Sequence, residues 1–176
     1  MVTQYVRIPQ DRIGVLIGHN GIVKEDIEKK SKSRIEVDSN EGEVYIESIE
    51  GGDPLKALRV VDVVKAIGRG FSPENAFALL DDDFLLLEVI SIAHLTPKTL
   101  KRVKGRVIGR NGRTRRTIEN LAGVKIAIYG KTIGMIGYSH PIRTAHEAIE
   151  MLINGTPHST VYSFLERKAG KEKEEW

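Results

Sequence analysis

The sequence predicts an α+β, two-layer protein built from two tandem units of one plan, each running β-α-α-β-β-α. Three observations carry this reading. A hexapeptide with two glycines three apart occurs twice, as Ile17-Gly18-His19-Asn20-Gly21-Ile22 and as Ile108-Gly109-Arg110-Asn111-Gly112-Arg113. The copies lie 91 residues apart (Gly18 to Gly109), a domain-sized spacing rather than a solenoid one. Each copy is followed by a helical stretch, two short β-like runs and a long helix with an apolar stripe.

The elements follow in order. Tyr5 to Ile8 is a short β-like run ended by Pro9. Asp11 is expected to cap a helix that buries Ile13, Leu16 and Ile17. After Gly21 a second helix runs to about Ser31, with Val23 and Ile27 on one side. Arg34 to Asp38 and Glu43 to Glu47 alternate with period two around the turn Ser39 to Gly42, and so predict a strand pair. Gly51-Gly52-Asp53-Pro54 punctuates the chain before a helix to about Gly68, whose stripe is Ala57, Val60, Val61, Val64 and Ile67. Ser72 and Pro73 open a short helix packed by Ala76, Leu79 and Leu80, and Asp81 to Asp83 forms its polar end.

The second unit repeats the plan. Phe84 to Ala93 is apolar and β-branched, Thr99 to Ile108 and Arg113 to Ala122 are helical, and Val124, Ile126 and Ile128 alternate with polar or small neighbours. Gly130 turns the chain into a return strand over Thr132 to Ile136. Ile142, Ala145, Ala148, Ile149, Leu152 and Ile153 mark the long helix. Beyond it, Val161, Phe164 and Leu165 begin another helix, and the terminal KEKEEW is expected to fray. The division predicted is residues 1–70 and 84–158 as the two domains, with 71–83 a helical connector and 159–176 a C-terminal helix and charged tail.

With 176 residues, 40% of them hydrophobic and 29% charged, the chain supports two small cores. Aromatics are only 6%, which argues against recognition built mainly on aromatic platforms. No cysteine is present, which excludes disulfides and thiolate metal sites and fits an intracellular protein or a thermophile avoiding labile residues; a cytoplasmic location is expected. The start MVTQYVRIP carries no signal-peptide apolar region, and no apolar run approaches membrane-spanning length, so no membrane partner is expected.

The net charge of +3 is modest, but its distribution is not. Lys98, Lys101, Arg102, Lys104, Arg106, Arg110, Arg113, Arg115 and Arg116 form a run of nine cations with no acid among them, so the remainder of the chain is net acidic. A basic block on an acidic protein is the footprint of a polyanion partner. The run straddles the second glycine turn. Glycine permits positive φ and close approach of a ligand, and a turn that opens into a helix N-terminus presents N–H donors and a positive dipole end to an anion.

Both turns match the I-G-x-x-G signature of the KH (K homology) family, and the strands and helix on their C-terminal side resemble its type I. Residues Ile67 to Phe71 with Ala76 to Asp82, Thr114 to Asn120, and Asn154 to Tyr162 resemble one group of that family, the archaeal and eukaryotic "partner of Nob" ribosome-biogenesis factors. The start of the chain, which lacks a long acidic extension, and the intact first turn resemble the archaeal members. The resemblance implies two type I KH domains, each a three-stranded antiparallel sheet against three helices.

It further implies a non-enzymatic protein that binds single-stranded RNA and acts near the 3′ end of small-subunit rRNA or its precursor. The rRNA 3′-end endonuclease or other assembly factors are implied as partners, with no cofactor. In such domains the turn clamps about four nucleotides. Carried onto this chain, the turn residues are Gly18, His19, Asn20 and Gly21, and Gly109, Arg110, Asn111 and Gly112. Ile108 and the strand from Val124 would floor the groove, and Lys104, Arg106, Arg113 and Arg116 would meet phosphates. Arg115 has a competing partner in Glu119, one helical turn on.

Two enzyme readings fall away. GRVIGRNGRT lacks the spacing and the Gly-Lys-Ser/Thr ending of a phosphate-binding loop. The five histidines are scattered without metal-ligand spacing, so isolated surface histidines are the default and no metal or catalytic residue is assigned. His19 alone sits inside a turn. A third reading has the first unit docking a protein partner, because Glu25, Asp26 and Glu28 stand among Lys24, Lys29 and Lys30.

Overall fold

The computed structural model describes residues 3–174, which divide into two compact units, the first ending at Asp83 and the second beginning at Phe84. The first unit runs β1 (Thr3–Arg7), α1 (Gln10–Ile17), α2 (Ile22–Ser31), β2 (Ser33–Asp38), β3 (Glu43–Ser48), α3 (Pro54–Gly68) and α4 (Pro73–Asp81). Its sheet has the order β1-β3-β2, antiparallel throughout, with Tyr5 and Glu36 flanking Tyr45 in register. Alternation puts Ile35, Val44 and Ile46 in the core. The other face carries Tyr5 and Tyr45, whose hydroxyls both donate to Glu43 (3.0 and 2.8 Å).

Three expectations for this unit change. The first helix starts at Gln10 behind Pro9 and has no side-chain cap; Asp11 lies in its first turn, where its charge faces the positive end of the helix dipole. The stripe on α3 is wider than predicted, with Val63 and Ala66 fully buried and Val61 only half-buried. The cause is α4, which packs on a second side of α3 and is tied there by Arg59 Nε donating to the Leu79 carbonyl (2.9 Å). Residues 71–83, read from sequence as a connector, therefore fold as part of the first unit. Ser72 does cap α4, accepting from the Asn75 amide, with Pro73 at the first helical position.

The second unit runs β4 (Leu86–Ser91), α5 (Pro97–Ile108), α6 (Arg113–Ala122), β5 (Lys125–Tyr129), β6 (Thr132–Gly137), α7 (Ser139–Ile153) and α8 (His158–Glu174). Its sheet has the same order, β4-β6-β5, again antiparallel. The strand expected over residues 84–93 is trimmed to the six residues that β6 can pair, from Leu86 opposite Gly137 to Ser91 opposite Thr132. Val103, Val107, Ile118, Ile126, Ile133, Met135, Ile149 and Leu165 meet in one core. Of the terminal KEKEEW, expected to fray, residues 171–174 are helical. Helix α8 continues through Glu174, its last turn carries Lys171 and Lys173, and Glu172 pairs with His140 at the start of α7 (2.7 Å). Glu175 and Trp176 of the tail, like Met1 and Val2, lie outside the described residues.

Helices α4 and α8 occupy the same place in the two units. Each follows the long helix after a short turn and packs against the helix that leaves the glycine turn, α4 on α2 and α8 on α6. The repeat thus extends one element beyond β-α-α-β-β-α.

Candidate nucleic-acid interface

The two glycine turns have nearly the same backbone. Gly18 (φ 76°, ψ 175°) and Gly109 (φ 74°, ψ 173°) occupy a region open essentially to glycine alone. Asn20 (φ 54°) and Asn111 (φ 55°), then Gly21 (φ 75°) and Gly112 (φ 74°), are left-handed. Sequence reasoning gave the positive φ to the glycines and missed the asparagines, although asparagine is among the few residues that adopt this conformation readily.

The glycines of each pair do different work. A Cβ on Gly109 would lie 2.2 Å from Thr114 Oγ1 and 2.7 Å from the Thr114 amide nitrogen, and one on Gly18 would lie 2.4 Å from Val23 Cγ2. The first glycine therefore lets the chain fold back onto the helix that follows. A Cβ on Gly21 would meet nothing within 4 Å, and one on Gly112 only the tips of Arg116 and Arg115. The second glycine leaves its surroundings open to whatever approaches the turn.

Behind each turn the same fastening recurs. Glu28 and Glu119 each accept a backbone N–H from the edge strand, Ile35 (3.1 Å) and Ile126 (2.9 Å), and each pairs with a cation one turn earlier, Lys24 (3.3 Å) and Arg115 (3.2 Å). Arg115 is thus held by Glu119, as its spacing suggested. Because Ile126 turns its N–H outward, alternation places the N–H and C=O of Ile128 on the same edge of β5.

The predicted phosphate contacts separate into two groups. Arg110, Arg113 and Arg116 are exposed around the turn, Lys104 and Ile108 are half-buried on α5, and Asn111 is exposed at the tip. Arg106 is different: its Nε donates to the Leu152 carbonyl (3.0 Å) and its terminal nitrogen to the Thr156 carbonyl, so it secures the end of α7. Position in the sequence could not reveal this, because the acceptors are 46 and 50 residues away. In the first unit Arg12 does the same for Ile67 and Phe71 (both 2.8 Å), with burial pushing its pKa down. His19, Asn20, Gly18 and Gly21 come together in the first turn as predicted, with His19 and Asn20 exposed.

Helix α8 adds residues that sequence reasoning left out. Tyr162 and Thr114 share a hydroxyl–hydroxyl bond (3.0 Å), His158 Nε2 donates to the Arg106 carbonyl (3.0 Å), and the two rings meet edge to face. His146, expected as an isolated surface histidine, sits between Glu88 and Glu150, 3.0 Å from each. Among the described residues no cluster of His, Asp or Glu could hold a metal ion. None of their helices is long and apolar enough to cross a membrane.

An α+β unit with a G-x-x-G turn between its first two helices, an antiparallel sheet and a third helix behind it is a KH-type nucleic-acid-binding module, here present twice. The family description "Eukaryotic type KH-domain (KH-domain type I)" matches residues 86–170, and "KH domain" matches residues 3–61. A KH domain-containing protein of Methanocaldococcus jannaschii is 42% identical over 97% of this chain and 75% of its own length. The pre-rRNA-processing protein PNO1 of Coccidioides immitis is 36% identical over 64% of this chain, a match spanning 46% of that longer protein. Among solved structures, Dim2p from Pyrococcus horikoshii is 48% identical, with a TM-score of 0.90 over 95% of this chain and 99% of that one. The Pyrococcus horikoshii complex of a/eIF2alpha, aDim2p and rRNA contains a chain 47% identical, with a TM-score of 0.92 over 97% of this chain and 95% of that one. The chain belongs to the PNO1/Dim2p family of KH-domain proteins.

Proposed function

We propose that the chain is a non-enzymatic, cytoplasmic single-stranded-RNA-binding factor of small-subunit rRNA maturation, which binds near the 3′ end of that rRNA through its second unit. The observation that carries this reading is the Gly109–Gly112 turn. Its tip is open beside Gly112, and Arg110, Arg113 and Arg116 surround it. A backbone phosphate can approach the amides of Arg110 and Asn111, with the Gly112 amide donated to the Gly109 carbonyl (3.2 Å) and the tip of Arg116 close by, while bases lie over Ile108 toward the edge of β5. Lys104 lines the same approach. The relatives support the role: curated ones are named pre-rRNA-processing proteins, and one solved neighbour is in complex with rRNA.

A second reading concerns the first unit, which docks a protein partner in place of RNA. It is favoured by the acids beside its turn and by the presence of a/eIF2alpha in the Pyrococcus horikoshii complex. An rRNA 3′-end endonuclease or another assembly factor would be partners of the same kind.

The groove reading is tested by fluorescence anisotropy with matched single-stranded and duplex RNAs. Unpaired bases can turn into the groove and paired ones cannot, so the single strand is expected to bind at least tenfold tighter, about 1.4 kcal/mol. Equal or tighter duplex binding would sink it.

A further inference from the structure

Helix α5, the second turn and the start of α8 enclose an open recess of about 570 Å³ that no residue of β5 lines. Arg102, Gly105, Arg106 and Gly109 face it at i, i+3, i+4 and i+7 of α5, joined by Arg110 and Arg113 from the turn and by His158 and Tyr162 from α8. We infer that this recess receives the phosphate and base of a nucleotide outside the four that the turn clamps, so that the RNA track continues past the turn onto α8.

Four guanidinium groups border the recess, and among the described residues no carboxylate does. Arg106 is fastened to backbone carbonyls, whereas Arg102, Arg110 and Arg113 are exposed and have no side-chain partner among the described residues. Like charges crowded without counter-charge raise the potential of the site and are relieved by an anion. The volume is far larger than a phosphate needs and falls in the range of small-ligand sites. Gly105 leaves the floor bare, and a Cβ there would touch no protein atom within 4 Å. The ring pair of His158 and Tyr162 supplies a surface on which a base can stack. Arg110 and Arg113 also belong to the turn, so a strand held there passes directly into the recess.

The first unit gives the contrast. At the positions of Arg102, Arg106, Arg110 and Arg113, 91 residues earlier, stand Asp11, Val15, His19 and Ile22. Gly14 matches Gly105, and a Cβ there would be equally unobstructed. The bare helix face is common to both units, and the cations are confined to the second.

This inference rests on the turn's binding RNA, and the test keeps the two apart. Arg102 lies a full helical turn from Arg106 and is no part of the clamp. Affinities are measured for a single strand of about four nucleotides, the length the turn holds, and for one of about ten with the same centre. Arg102→Ala is expected to weaken the long RNA about threefold to tenfold, flatten its log K against log salt slope by about 0.7, and leave the short RNA within about twofold. In protein carrying fluorotyrosine, the Tyr162 fluorine signal is expected to shift with the long RNA and not with the short one. No change in the long RNA's affinity or slope, or an equal loss for both lengths, overturns the inference while the clamp stands. If Arg110→Asp with Asn111→Asp spares both RNAs, the clamp itself fails and the recess with it.

Discussion

The two units share a backbone and differ in charge, and the comparison separates what makes the fold from what makes a site. Both turns need a glycine that tolerates the Gly18 and Gly109 conformation, both carry an asparagine in the left-handed region, and both fasten the edge strand with a glutamate. Around this common frame the second unit places Arg102, Arg106, Arg110, Arg113 and Arg116 where the first has Asp11, Val15, His19, Ile22 and Glu25. The fold is indifferent to the exchange, because four of the five arginines are exposed. Arg106 is the exception. It shows one mechanical need met twice by different routes: Arg106 holds Leu152 and Thr156, Arg12 holds Ile67 and Phe71, and these carbonyls are equivalent (both pairs 85 residues apart). The arginines themselves are not equivalent, standing three and six residues before their turns. One acceptor of each pair, Leu152 or Ile67, is in the last turn of the long helix and the other, Thr156 or Phe71, is in the turn just beyond it, and a guanidinium can donate to both at once.

The largest effect is expected from setting the two glycines of one turn against each other. Gly109→Ala combines a backbone region closed to alanine with overlap on Thr114, and should cost about 2–4 kcal/mol by denaturant unfolding. Gly112→Ala carries only the left-handed penalty, about 1–2 kcal/mol. Equal losses would mean that packing on Thr114 does not distinguish the positions.

Next comes the ranking of the units. Arg110→Asp with Asn111→Asp should weaken RNA binding at least tenfold, about 1.4 kcal/mol or more, with circular dichroism unchanged because both side chains are exposed. His19→Asp with Asn20→Asp should cost much less. A greater loss from the first turn would reverse the ranking.

Smaller again are single charges. With roughly four phosphates neutralised, the slope of log K on log salt should lie near −3, and Arg113→Ala or Arg116→Ala should each flatten it by about 0.7. Arg115→Ala should leave the slope alone, since its charge is already opposed by Glu119. A flat salt response in the unmodified protein would make the basic run a solvated face.

The smallest effect is one of pH, and it should appear in the second unit alone. Burial on its own would lower the His146 pKa, but its bonds to Glu150 and Glu88 outweigh that and the net shift is upward. Both ring nitrogens face carboxylates, an arrangement in which only the imidazolium can donate twice. A raised folded pKa gives stability that is complete below the unfolded value of about 6.5 and is lost as pH rises through the folded one. The contribution should be no more than about 1 kcal/mol, since the ring is partly exposed and solvent screens it. His146→Gln should abolish this pH dependence of second-unit unfolding, followed by hydrogen exchange. The first unit has Val61 at the matching place and should show none of it.

Sequence alone determined the plan of this protein: two units, their element order, the glycine turns, the cation run and nearly all of the core. Each of these is written in local spacing, either the period of apolar residues or the conformational tolerance of glycine, and local spacing is legible without a fold. Tertiary structure decided which of the cations are available. Arg106 looks like its neighbours in the chain, yet it is bound to carbonyls across the domain, whereas the pairing of Arg115 with Glu119, four residues on, was already legible in the spacing. It also packed the helical connector and the C-terminal helix, both expected from sequence, onto their units as a fourth helix each, and so placed His158 and Tyr162 beside the turn. Such assignments depend on contacts between residues some 50 positions apart. No periodicity records those, because a side chain's partner is chosen by where the packed elements bring its donors.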